Sequence, residues 1–133
     1  AAGPRGAHAR GVAIGHDHRE RADLALSSRR FALLAARACL ARGFAVHLYR
    51  GVVPTPLVPF CVDARGCCAG IMVTASHNPK EDNGFKVYWG NGCQITRPHD
   101  AGIAAAILRA RAPFQRRDHD AIARDPRGRG GCG

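Results

Sequence analysis

Residues 74–86 read TASHNPKEDNGFK. They set a hydroxyl, an imidazole and an amide in a row at Ser76, His77 and Asn78. An ammonium follows at Lys86, after an Asn83-Gly84 turn. A Ser/His hydrolase pair fails on geometry, because side chains adjacent in sequence diverge and no G-x-S-x-G elbow is present. A nucleotide P-loop needs G-x-x-x-x-G-K-[ST], which is missing. Two readings remain on residue types alone. In one, Ser and Asn satisfy backbone groups in a polar turn. In the other, a serine hydroxyl takes a phosphoryl group and passes it on, splitting a hard transfer into two steps. Such transfer depends on positioning and on cations that neutralise spread-out charge. Lys86 offers that cation, or a base. His77 and Asn78 offer donors to phosphoryl or sugar oxygens. The chain has eighteen Arg and two Lys, and both lysines, Lys80 and Lys86, fall in this stretch. That bias leans toward a phosphate site.

The elements around the stretch follow from apolar runs and punctuation. GVAIG (11–15) reads as a buried strand. Ser27 or Ser28 offers a helix N-cap, and the helix runs to a stop at Gly43. Phe31, Leu34, Ala38 and Ala41 are expected to share its buried face. AVHLY (45–49) is a second strand, and Pro56 opens a second helix. CCAGIMV (67–73) is a third strand, apolar on both faces, and belongs inside a sheet covered by helices. FKVYW (85–89) is a fourth. Pro98 opens a last helix through about Arg111. Strand–helix–strand–helix–strand predicts a parallel sheet between two helix layers. In such a sheet ligands bind beyond the carboxyl ends of the strands, which is where Ser76 stands. Residues 1–10 read as a loose leader, 11–112 as the domain and 113–133 as an irregular basic tail.

At 133 residues with 46% hydrophobic content, one domain can bury a core without staples. Its net charge of +10 is uneven. Residues 1–42 hold eight arginines against three acids, and residues 109–133 hold seven against three. The arginines are not interleaved with aromatics and no nucleic-acid motif is present, so a solvated basic surface is expected and no specific nucleic-acid partner. There is no initiating Met and no signal-peptide pattern. The most apolar stretch, residues 31–49, is broken by Arg37 and Arg42, so no membrane partner is expected. None of the six cysteines forms C-x-x-C. Free thiols in a reducing, cytoplasmic setting are expected rather than zinc or a disulfide framework, with Cys61, Cys67, Cys68 and Cys93 sheltered and Cys132 reactive.

Thr74–Pro79, with Asn83, Gly84 and Lys86, resembles the active-site serine loop of the α-D-phosphohexomutase family. The longer run from Gly70 to Ile103, with VPTPLVPF and the SSRRFA helix start, is similar to its phosphoglucomutase-2/phosphopentomutase branch. The resemblance covers residues 11–112 and implies the family's first domain, a three-layer α/β/α sandwich with a mixed, mostly parallel four-stranded sheet. It implies that Ser76 is phosphorylated and that its phosphate is one ligand of a catalytic Mg²⁺. It implies that His77 and Asn78 contact substrate or phosphate, and that Lys86 is a base or charge partner beside the phosphoserine. Asp17 and Arg19 match the family's G-Y-D-x-R motif, with His16 where an aromatic is usual. The implied substrate is a sugar phosphate, with glucose 1,6-bisphosphate as activator or intermediate. The family's D-G-D-x-D-R magnesium loop is not among the 133 residues. The remaining domains of a parent enzyme are therefore expected partners. The chain alone is expected to lack turnover, the alternative being a truncated fragment that folds or binds phosphate without catalysis.

Overall fold

β1, Gly11–His16, is buried at every one of its six positions. A strand can be buried throughout only if both sheet faces are covered. The computed structural model, which describes residues 11–17, 28–79 and 82–110 and the backbone of 128–129, shows how this is done. Val12 and Ile14 pack into a cluster with Ala32, Ala36 and Leu40 of helix α1, Ser28–Ala41. Ala13, facing the other way, joins Val58, Cys61 and Val62 of helix α2, Leu57–Arg65. Strand β3, Ala69–Thr74, repeats the alternation: Val73 packs toward α1 and Met72 toward α2.

The expected α/β sandwich with a mixed, mostly parallel sheet is therefore present. β1 pairs in parallel with both β2, Ala45–Leu48, and β3. β4, Gly84–Trp89, returns antiparallel along β3 and forms one edge. α3 spans His99–Arg109 and has no buried residue, with Ile107 and Leu108 exposed. A two-residue strand β5, Gly128–Arg129, pairs in parallel with β2 at the other edge. Residues 113–133 are thus not irregular throughout, although the rest of that expected tail and the expected leader 1–10 lie outside the described residues.

Three local expectations are corrected. β3 begins at Ala69 rather than at Cys67. α2 ends in a left-handed cap at Gly66 (φ 61°), and the Cys67 amide donates back to the Val62 carbonyl, so the two cysteines belong to the helix exit. The buried face of α1 is Ala32, Ala36, Arg37 and Leu40, while Leu34, Ala38 and Ala41 are exposed. Apolar residues lie on most sides of this helix, so several stripes satisfy the same spacing and only the sheet selects among them. Among the thiols, Cys93 is exposed, because it sits in the turn beyond edge strand β4. Cys61 is fully buried and disulfide-bonded rather than a free thiol, a pairing that sequence spacing does not signal. Cys132 lies outside the described residues.

α2 lies so close to β3 that a Cβ on Gly70 would stand 2.7 Å from Val62 Cγ2 and 2.9 Å from Val58 Cγ1. Gly70→Ala is expected to destabilise the domain by about 1–3 kcal/mol through overpacking, partly offset by a stiffer unfolded chain. Urea denaturation reads this directly, and a variant as stable as the parent would contradict the tight α2–β3 contact.

Burial, reinforced by neighbouring Cys68 and opposed by Arg65, raises the Cys67 thiol from 9.0 to about 11. A folded value above the unfolded one favours the neutral thiol in the fold. Its stabilisation is fully present below pH 9 and is lost as pH rises through 11. Stability should therefore fall across pH 9–11, and less steeply in Cys67→Ala. Equal slopes for the two proteins would show that Cys67 is not sheltered.

Candidate functional site

β3 carries the chain from full burial to solvent within two residues. Thr74 closes the strand at 4% exposure and Ala75 is also buried, while Ser76, His77, Asn78 and Pro79 are exposed. A turn forms at once, in which the Asn78 amide donates to the Ala75 carbonyl at 2.9 Å. Ser76, the first central residue of that turn, has φ 54° and is the only non-glycine with positive φ among the described residues. Positive φ at the first central position alone is the pattern of a type II′ turn, where glycine is the usual occupant. A serine held there costs about 1–2 kcal/mol. Such strain persists only where the surroundings over-determine it, and it marks candidate functional positions.

The register of β3 with β4 places the lysine. Thr74 pairs with Gly84 and Met72 with Lys86. Directly opposed residues of an antiparallel pair share a face. Thr74, Met72 and Lys86 therefore lie on the α2 side, as does Tyr88, which joins the same cluster as Met72. Lys86 is half-buried and one same-face step, about 7 Å, from the end of the strand pair. The ten-residue separation of Ser76 and Lys86 thus closes to one edge of the sheet. Asp17 is brought to that edge too, its amide donating to the Val73 carbonyl at 3.3 Å. The loop after β2 also reaches it, through the Val53 amide on the His16 carbonyl at 2.9 Å. Arg19 and Lys80 lie outside the described residues.

Thr74 is the residue that sequence reasoning passed over. Its Oγ1 accepts the Ser76 amide at 2.8 Å. The available signal was a threonine two residues before the serine at a strand end, a type that bonds locally to backbone. No group of three or more His, Cys, Asp or Glu suited to a metal occurs among the described residues. Mg²⁺ takes near-octahedral oxygen coordination, so these residues alone do not compose a magnesium site. No helix among the described residues is long and apolar enough to cross a membrane.

Residues 2–113 match the family described as phosphoglucomutase/phosphomannomutase, alpha/beta/alpha domain I. The chain belongs to this family. It is 49% identical over 113 residues to a phosphopentomutase of Homo sapiens, covering 85% of this chain and 18% of that protein. It is also 49% identical over 98 residues to a glucose 1,6-bisphosphate synthase of Mus musculus, covering 74% of this chain and 16% of that protein. A phosphomannomutase crystal structure from Thermus thermophilus superposes with TM-score 0.63 at 35% identity, over 73% of this chain and 21% of the other. The chain thus spans less than a fifth of the length of these curated phosphohexomutase relatives.

Proposed function

We propose that this domain carries the phosphorylated serine of a phosphoglucomutase/phosphopentomutase, with Ser76 as the group that holds and transfers phosphate. The observation that supports this most is the strained φ of Ser76 at the carboxyl edge of the sheet, on a turn that a bland loop would build with glycine. In the proposed cycle phosphorylated Ser76 meets a sugar monophosphate. A sugar hydroxyl oxygen bonds to phosphorus, the bond from phosphorus to Ser76 Oγ breaks, and the hydroxyl proton ends on Oγ. The resulting bisphosphate returns its other phosphate to Ser76 by the reverse step. Phosphate has then moved between C1 and C6 of a hexose, or between C1 and C5 of a pentose. Lys86 sets its ammonium against the charge spread over the phosphoryl oxygens, or relays the proton. His77 and Asn78, exposed in the turn, donate to phosphoryl or sugar oxygens.

Magnesium belongs to the proposal only through one phosphate oxygen on Ser76, and each step above uses this chain's own residues. Substrate closure and the remaining metal ligands are assigned to the rest of a parent enzyme, so the 133 residues alone should show no mutase turnover. A cytoplasmic setting is part of the same reading, with the Cys61 disulfide as the one feature that leans away from it.

A coupled assay that found this chain converting glucose 1-phosphate to glucose 6-phosphate would remove the need for those other parts. In the full-length enzyme, Ser76→Ala should abolish the phosphoenzyme while changing stability by no more than about 0.5 kcal/mol, because only an exposed hydroxyl is lost. Lys86→Ala should still take up phosphate but lose on the order of 10²-fold in turnover, as when one transition-state donor is removed. Intact-protein mass spectrometry with and without glucose 1,6-bisphosphate reads the added phosphate. Stable phosphate and retained activity in Ser76→Ala would return the loop to a polar turn.

A further inference from the structure

We infer that Thr74 is a positioning residue that sets the direction of the Ser76 hydroxyl. The inference rests on the reading of Ser76 as the phosphate carrier. Its basis is a single peptide unit, the one joining Ala75 to Ser76. The carbonyl of that unit accepts the Asn78 amide at 2.9 Å. Its N–H donates to Thr74 Oγ1 at 2.8 Å. Both polar ends of one peptide plane are therefore tied, and the next rotatable bond is the φ of Ser76, which stands at 54°. Without the second tie the plane can rotate and let Ser76 relax to negative φ, which redirects Cβ and the hydroxyl.

Thr74 suits this task for three reasons. Its backbone is fixed in the β3–β4 ladder opposite Gly84. Its side chain is 4% exposed, so water does not compete strongly for the hydroxyl. Its branched Cβ restricts χ1, which makes Oγ1 an acceptor at a set position. The following residue, Ala75, is buried and anchors the plane from below. The Ser76 amide, engaged by Thr74, is also withdrawn from the donors that face an incoming phosphate.

The test uses the full-length enzyme with Thr74→Val, Thr74→Ser and Ser76→Ala. Thr74→Val keeps shape and removes the acceptor. It should lower kcat and the rate of phosphate uptake from glucose 1,6-bisphosphate on the order of 10²-fold, the scale of a misplacement of about 1 Å, with KM for the sugar phosphate unchanged. Thr74→Ser, which keeps the acceptor but not the branched Cβ, should restore most of both rates. In the 133-residue chain, the Ser76 amide should exchange slowly with solvent in the parent and in Thr74→Ser, and fast in Thr74→Val. Where Thr74→Val does not fold, Thr74→Ala is read by the same criteria. A valine or alanine variant that keeps its kcat, or a serine variant as slow as valine, overturns the positioning role while leaving Ser76 in place. Phosphate retained by Ser76→Ala overturns the assignment of Ser76 itself, whatever Thr74 does.

Discussion

The arrangement depends on β1 and β3 lying side by side with no solvent face. Their alternate residues feed two separate clusters, Val12, Ile14 and Val73 toward α1, and Ala13 and Met72 toward α2. Burial on both faces leaves the strand ends as the only places where backbone polar groups and charged side chains can meet water. Because the two strands are parallel, their carboxyl ends fall at the same edge, bringing Asp17 beside the start of the serine turn. β4 then adds what a parallel strand cannot. Running the other way, it starts at that edge and places Lys86 two residues in.

A rigid base of this kind lets a strained serine survive. The cost of a left-handed serine, about 1–2 kcal/mol, is a sizeable part of a marginal stability. It is carried by packing and backbone ties rather than by the reacting groups. Ala75 is buried, Thr74 is fixed in the ladder, and the turn is closed by the Asn78 amide. The tight approach of α2 at Gly70, four residues before Thr74, stiffens the same strand. Exposure of the chemical groups and rigidity of their backbone are thus compatible because one lies on the turn and the other below it.

Much of this was legible in the sequence, and the limits have physical causes. GVAIG, AVHLY and FKVYW announced strands because short apolar runs rich in branched and aromatic residues fit a pleated sheet. Proline marked the start of α2 correctly at Pro56. Residue type and spacing left Ser76 and Lys86 open between a polar turn and a phosphate site, and their roles came from the family resemblance; the β3–β4 register brings the two positions to one edge. The buried face of α1 was not legible, because alanines spread around the helix give little contrast, and a buried Arg37 runs against any hydropathy rule. The pairing of Gly128–Arg129 with β2 could not be read either, since strand pairing there is made by backbone and the side chains give no alternation. Thr74 was visible as a letter but not as an acceptor. Its role depends on a φ value that only coordinates supply.

The charge distribution gives the site its character. Residues 43–108 hold five basic residues against four acidic ones, while α1, packed on the same sheet, carries Arg29, Arg30 and Arg37 and no acid. Under the proposed function, the pull of surface arginines on a phosphate at Ser76 would be screened within about 8 Å at physiological salt. The cation that the proposal assigns to it, Lys86 on β4, is half-buried and less screened. In a chain that uses arginine eighteen times, a lysine at this position is a chemical choice. A guanidinium presents a rigid fork and stays charged, which suits static clamping of an anion. An ammonium on a flexible stem is a compact charge that can follow a phosphoryl group as it moves from one oxygen to another, and it can also exchange a proton. Two residues in from the strand end beside the turn, Lys86 thus suits the proposed role of meeting a group in transit better than that of clamping a group at rest.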